Sequence, residues 1–120
     1  MANVLYVDDE EAIAGAVRKW LTRKGHVVYT ARDIESARTI LSEHHVDGLF
    51  IDLWLGTDSG VVLHEWLREN APPLAHRTVF VTGDSTSSEQ LARVVREEGV
   101  QVVAKPFDLK DLERIVATWH

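Results

Sequence analysis

Gly48-Leu49-Phe50-Ile51-Asp52 is an unbroken apolar run that ends on a carboxylate. A short continuous run of this kind reads as a strand buried on both faces, the kind found in parallel sheets covered by helices. Val4-Leu5-Tyr6-Val7 is a second such run, closed by the acidic pair Asp8-Asp9. The last run, Val100 to Ala104, closes on Lys105-Pro106. Polar groups at the ends of parallel strands share one edge of the sheet. The chain therefore predicts clustered carboxylates facing one lysine, a setting suited to a hard cation and a phosphoryl group.

The segments between these runs carry helical periodicity. Helices are expected over Glu11–Lys24, with Ile13, Val17, Trp20 and Leu21 on one face, and over Asp33–His44, with Asp33 as cap. Further helices are expected over Ser59–Asn70, Ser87–Glu98 and Asp108–Trp119. Strands fall at Val4–Val7, Val27–Ala31, Gly48–Asp52, Thr78–Thr82 and Val100–Ala104, and the first, third and fifth read as covered on both faces. Asn70 to His76, with Pro72-Pro73, reads as the longest loop. Five strand–helix units in succession imply an α/β domain with a parallel sheet and helices on both sides. The flavodoxin-like strand order 2-1-3-4-5 sets the first and third strands side by side at the switch point, so Asp8, Asp9 and Asp52 meet at the ligand-binding edge.

Composition narrows the function classes. The 120 residues fit one domain, 1–120, and 45% hydrophobic residues mark it as globular. No cysteine is present, which removes thiolate nucleophiles and thiolate metal sites. A formal net charge of −6 argues against non-specific nucleic-acid binding by this domain. No apolar run approaches a membrane span, and the N-terminus lacks a signal-peptide pattern, so the expected location is the cytoplasm.

Three carboxylates in one pocket repel one another unless a cation sits among them. Mg²⁺ is the natural partner, a small hard ion that takes oxygen ligands. A carboxylate can also attack phosphorus and carry an aspartyl phosphate. Transfer of that group needs positioning and charge neutralisation, which Lys105 and the Thr82 hydroxyl stand ready to provide at neighbouring strand ends.

These residues resemble a known family over essentially the whole chain. Leu5-Tyr6-Val7-Asp8-Asp9-Glu10, Asp52-Leu53-Trp54-Leu55 with Gly60, Val81-Thr82-Gly83 and Lys105-Pro106-Phe107 together are similar to the CheY-like response-regulator receiver domain of two-component signalling. The resemblance implies that Asp52 is the phosphoacceptor. It implies that Asp9 binds Mg²⁺ directly and Asp8 directly or through water, with Asp52 and the Trp54 backbone carbonyl completing the protein's share of ligands. Thr82 and Lys105 would hold the phosphoryl oxygens, and Lys105-Pro106 would be a cis peptide bond. The implied partners are a histidine kinase or a histidine phosphotransfer protein, with an output partner at the face of the fourth helix, fifth strand and fifth helix. The domain would be a monomer or a weak dimer, catalysing its own phosphorylation and dephosphorylation alone.

Two positions depart from the family pattern. Val102 stands where many receivers carry Tyr or Phe, and Gly56 stands where proline is common, which predicts a more mobile loop. The stretches 81–84 and 102–107 look most like receivers attached to hybrid histidine kinases. Two alternative functions stay open on the sequence. One is a Mg²⁺-dependent phosphohydrolase with an aspartyl nucleophile, although no insertion long enough for a cap is present. The other is a non-phosphorylated docking module that kept the fold. Asp58 and Asp84 are expected to cap or lead into the third and fourth helices, and Trp119 to be a docking anchor or a frayed terminal aromatic.

Overall fold

The computed structural model describes residues 1–83 and 89–119. Its elements are β1 (Asn3–Val7), α1 (Glu11–Arg23), β2 (Val27–Ala31), α2 (Ile34–Glu43), β3 (Gly48–Asp52), the short pair β4 (Trp54–Leu55) and β5 (Asp58–Ser59), α3 (Gly60–Asn70), α4 (Pro72–Ala75), β6 (Thr78–Thr82), α5 (Glu89–Glu98), β7 (Gln101–Ala104) and α6 (Leu109–Val116). The main sheet has five strands in the order β2-β1-β3-β6-β7, and each neighbouring pair is parallel. This is the expected 2-1-3-4-5 topology, with a small antiparallel pair added after β3.

Alternation along the strands divides the core in two. Leu5, Val7, Leu49, Ile51 and Phe80 pack with Ala37 of α2, Leu63 and Leu67 of α3, and Leu91 and Val94 of α5. Val4, Tyr6, Phe50, Val79 and Val81 face the other way, onto Val17 and Leu21 of α1 and Leu112 and Val116 of α6. Successive strand side chains point to opposite faces, so a strand covered by helices on both sides must be apolar throughout.

Local chemistry sets the helix starts. The Asp33 carboxylate accepts from Ser36 N–H, the Ser59 hydroxyl from Val61 N–H and the Asp108 carboxylate from Lys110 N–H, each an N-cap bond that satisfies an otherwise open donor. The expected helices 33–44, 59–70 and 108–119 thus begin one residue later, because their first residue is the cap. The start expected at Ser87, and Asp84 before it, lie outside the described residues.

Four expectations need correction. Residues 70–76 are not all loop: Pro72-Pro73 opens the one-turn helix α4, since proline at a first turn sacrifices no hydrogen bond. The last strand is not covered on both faces. β7 lies at the sheet edge and Val102 is 41% exposed, whereas β6, paired on both sides, is wholly buried. Asp58 pairs with Leu55 in the small hairpin, and Ser59 does the capping. Trp119 is neither frayed nor a docking anchor: it is 5% exposed and packs on Phe50 with ring centroids 5.1 Å apart. Its ring lies directly over Gly48, where a Cβ would collide with it.

Candidate functional site

β1, β3, β6 and β7 deliver their last residues to one rim. Asp8 follows β1, Asp52 ends β3, Thr82 ends β6 and Lys105 follows β7. The register aligns them: Asp52 pairs with Val81, and Thr82 with Ala104. Asp8, Asp52 and Thr82 are all buried.

The Lys105 ammonium sits at the centre of this rim. Its Nζ lies 2.9 Å from Asp8 Oδ2, 3.2 Å from Asp52 Oδ2 and 3.3 Å from Glu10 Oε1. Its backbone N–H donates to Thr82 O at 2.8 Å, which continues the β6–β7 ladder and fixes where the side chain starts. The Lys105-Pro106 bond is cis, as expected.

Asp52 is held on its other oxygen by Trp54 N–H, 3.3 Å from Oδ1. Burial, and then the negative charge of Asp8, push its pKa up to about 6 even though Lys105 pulls the other way. Burial by itself would lower the Lys105 pKa. The hydrogen bond to Asp8 and the charge of Asp52 outweigh it and raise that pKa instead. Asp8 accepts from Glu10 N–H at 2.9 Å on Oδ1, and from the Tyr6 hydroxyl at 3.1 Å on Oδ2. Burial and the Asp8 carboxylate in turn drive the Tyr6 phenol far above its ordinary pKa.

Two glycines shape the loop after Asp52. Gly60 N–H donates to Leu53 O at 2.6 Å, and a Cβ at position 60 would strike the Asp52 carbonyl oxygen. Gly56 adopts φ +63°, a conformation closed to proline and strained for other side chains. Its N–H donates to Asp9 Oδ2 at 3.1 Å, so the loop expected to be mobile is tied back to the end of β1.

Of the residues expected at the site, Asp8, Asp52 and Lys105 therefore touch, and Thr82 ends the adjacent strand. The Trp54 backbone contacts Asp52 while its side chain is 48% exposed. Asp9 is exposed and turned to the loop. Among the described residues, the carboxylates whose oxygens lie within 4.8 Å of one another are those of Asp8, Glu10 and Asp52. This set offers oxygen donors alone, as a hard divalent ion requires.

Sequence reasoning missed two members of the rim. Glu10 reads as a helix-start acid favoured by the dipole, yet its side chain reaches Lys105. Tyr6 reads as one more apolar residue. Its spacing of two from Asp8 puts both on the same side of the strand and was the available signal. Elsewhere, His44 and His45 make no joint site: His44 stacks on Tyr29 and His45 pairs with Asp47.

Comparisons with known proteins bear on the fold and the family. The alginate biosynthesis transcriptional regulatory protein AlgB of Pseudomonas putida is 39% identical over 83 residues, covering 69% of this chain and 18% of AlgB. The chain thus spans less than a fifth of that relative's length. A signal receiver domain of an HD domain-containing protein from Pseudomonas fluorescens superposes with a TM-score of 0.87 at 22% identity, covering 98% of this chain and 93% of that one. A response regulator from Burkholderia pseudomallei, solved with a phosphorylated aspartic acid, calcium ion and citrate, gives a TM-score of 0.81 at 28% identity, covering 96% of this chain and 66% of that one. The family model for the response regulator receiver domain matches residues 4–117, from β1 past the end of α6 and across every residue of the acidic rim, and the chain belongs to that family of two-component signalling domains.

Proposed function

We propose that this chain is a phosphoacceptor switch in which Asp52 takes a phosphoryl group from a histidine kinase or a histidine phosphotransfer protein in a Mg²⁺-dependent reaction in the cytoplasm. The observation that carries this reading is the buried Asp52 carboxylate with the Lys105 ammonium 3.2 Å from one oxygen and the Asp8 carboxylate 2.9 Å from the same ammonium. The rim holds more negative than positive charge, and an arriving phosphoryl group adds to the negative side, which a cation would offset.

Asp8, Asp52, the Trp54 carbonyl and Asp9 would hold the ion, and Glu10 stands close by. When bound, Mg²⁺ supplies neutralisation of charge on the equatorial phosphoryl oxygens. One Asp52 oxygen attacks phosphorus as the bond from phosphorus to the donor's imidazole nitrogen breaks, and the imidazole leaves with the electron pair. Ionised at neutral pH despite its raised pKa, the carboxylate stays nucleophilic. Lys105 exchanges a carboxylate partner for a phosphoryl oxygen, and the Thr82 hydroxyl donates to another. Water attack later resets the switch, so a separate substrate is not turned over.

An apolar groove of about 580 Å³ opens beside Lys105 between α1 and the segment after β7, lined by Ala12, Ile13, Ala16, Pro106, Phe107 and Leu109. Its position next to the phosphoryl site supports docking of the donor protein there. The output partner is proposed to meet the α5–β7–α6 face, where Val95 and Val102 are exposed. Its message would travel without the Tyr or Phe that many receivers carry at the position of Val102.

Beryllofluoride with Mg²⁺ tests the reading through tryptophan fluorescence. The signal is expected to change on Mg²⁺ addition and again on beryllofluoride, and to lose the Mg²⁺ step in Trp54→Phe while binding persists by calorimetry. Absence of both binding events in the unaltered chain would contradict the proposal.

A further inference from the structure

One buried polar group has no part in the reaction just described: the hydroxyl of Tyr6. The ring is fully buried on β1 and tilts against Phe50 at 6.1 Å between centroids, and Phe50 packs in turn on Trp119. From this apolar bed the hydroxyl emerges at Asp8 Oδ2, 3.1 Å away. A phenol facing a carboxylate can only donate.

Among the described residues, Asp8 has three donors. Glu10 N–H holds Oδ1, while Tyr6 and Lys105 share Oδ2. They differ in stiffness. The backbone N–H belongs to the start of α1, and the phenol is clamped in the core with two torsions. Lys105 lies on a long, flexible stem and also serves Asp52 and Glu10. When Lys105 turns to a phosphoryl oxygen, Tyr6 is the side chain left to fix the plane of the Asp8 carboxylate.

Resting on the Mg²⁺ site of the proposed function, we propose that Tyr6 is a positioning residue that holds the Asp8 carboxylate in its ion-binding orientation through the hydrogen bond from its hydroxyl. Partners that orient ligand groups typically change metal affinity by tenfold or more when removed, and Asp8 keeps its bond from Glu10 N–H, so the effect falls at the low end of that range.

The test is Mg²⁺ binding by calorimetry in the unaltered chain, Tyr6→Phe, Lys105→Met and the double variant, with folding checked by circular dichroism. Tyr6→Phe keeps the ring and removes the bond. It is expected to weaken Mg²⁺ binding about tenfold, and by a clearly larger factor in the Lys105→Met background, which removes the other side chain described on Oδ2. A role confined to packing would give the same loss in both backgrounds. A loss below about twofold, a gain in affinity, or an equal or smaller loss without Lys105 overturns the inference. Failure of Tyr6→Phe to fold would assign the hydroxyl to stability and overturn it as well. Absence of Mg²⁺ binding by the unaltered chain strikes the underlying site itself, which separates that failure from failure of the inference.

Discussion

Asp47 and Asp52 bracket the same buried strand, β3, and their surroundings treat them in opposite ways. Asp47, at the N-terminal rim, has both carboxylate oxygens engaged: Oδ2 accepts from Asn3 N–H at 2.7 Å and Oδ1 pairs with His45 at 2.9 Å. The backbone donor, joined by His45, holds its pKa below the ordinary value. Asp52, at the C-terminal rim, is more deeply buried and faces another carboxylate, and its pKa rises to about 6. One rim is electrostatically settled and ties β1 to β3. The other is strained in charge and gains from an arriving cation. A domain can keep a charge-frustrated site because the opposite end of the same strand is secured.

The largest expected effects separate the two acids by sign. Asp47→Ala removes the acceptor for Asn3 N–H and is expected to cost about 2 kcal/mol in urea unfolding. Asp52→Asn removes a buried charge held against Asp8, and without divalent ions near neutral pH it is expected to gain on the order of 1–2 kcal/mol. Equal destabilisation by both variants would break the comparison.

Their pH dependences should also run in opposite directions. Asp52 has a folded pKa above its unfolded value of about 4. Its favourable contribution is full below that pH and is lost as pH rises through about 6, so the advantage of Asp52→Asn grows across that window. Asp47 has a lowered folded pKa, so its contribution is present above about pH 4 and lost as pH falls further. Urea midpoints from pH 3 to 7 on both variants check the signs.

Mg²⁺ sharpens the contrast at smaller scale. At ten times the dissociation constant it should stabilise the unaltered chain by about 1.4 kcal/mol, and Asp47→Ala equally, with little effect on Asp52→Asn. Smaller still is the difference between the two outer acids. Asp9→Asn is expected to weaken Mg²⁺ binding more than Glu10→Gln, because Glu10 is already occupied with Lys105 while Asp9 holds only a loop N–H. A larger loss in Glu10→Gln would assign the third carboxylate to Glu10.

Much of this was legible in residue order. The apolar runs ending on Asp8, Asp52, Thr82 and Lys105 determine strand direction, and the parallel crossovers then bring those ends together. What escaped depended on contacts between distant residues. Trp119 continues the helical spacing of Leu112 and Val116, but its seat over Gly48 is visible only once the chain folds. β7 interrupts its apolar residues with Gln101 alone, and its place at the edge follows from topology. The turn of Asp9 toward Gly56 and of Glu10 toward Lys105 is a matter of side-chain reach around the start of α1, which residue order does not show.

The central claim is that Asp52 is the residue that carries phosphorus. Intact and peptide mass spectrometry after exposure to acetyl phosphate with Mg²⁺ tests it most directly. The account predicts one phosphoryl group per chain, located on Asp52, dependent on Mg²⁺ and missing from Asp52→Asn. Label that stays at the unaltered level in Asp52→Asn, or that maps to another residue, would contradict it.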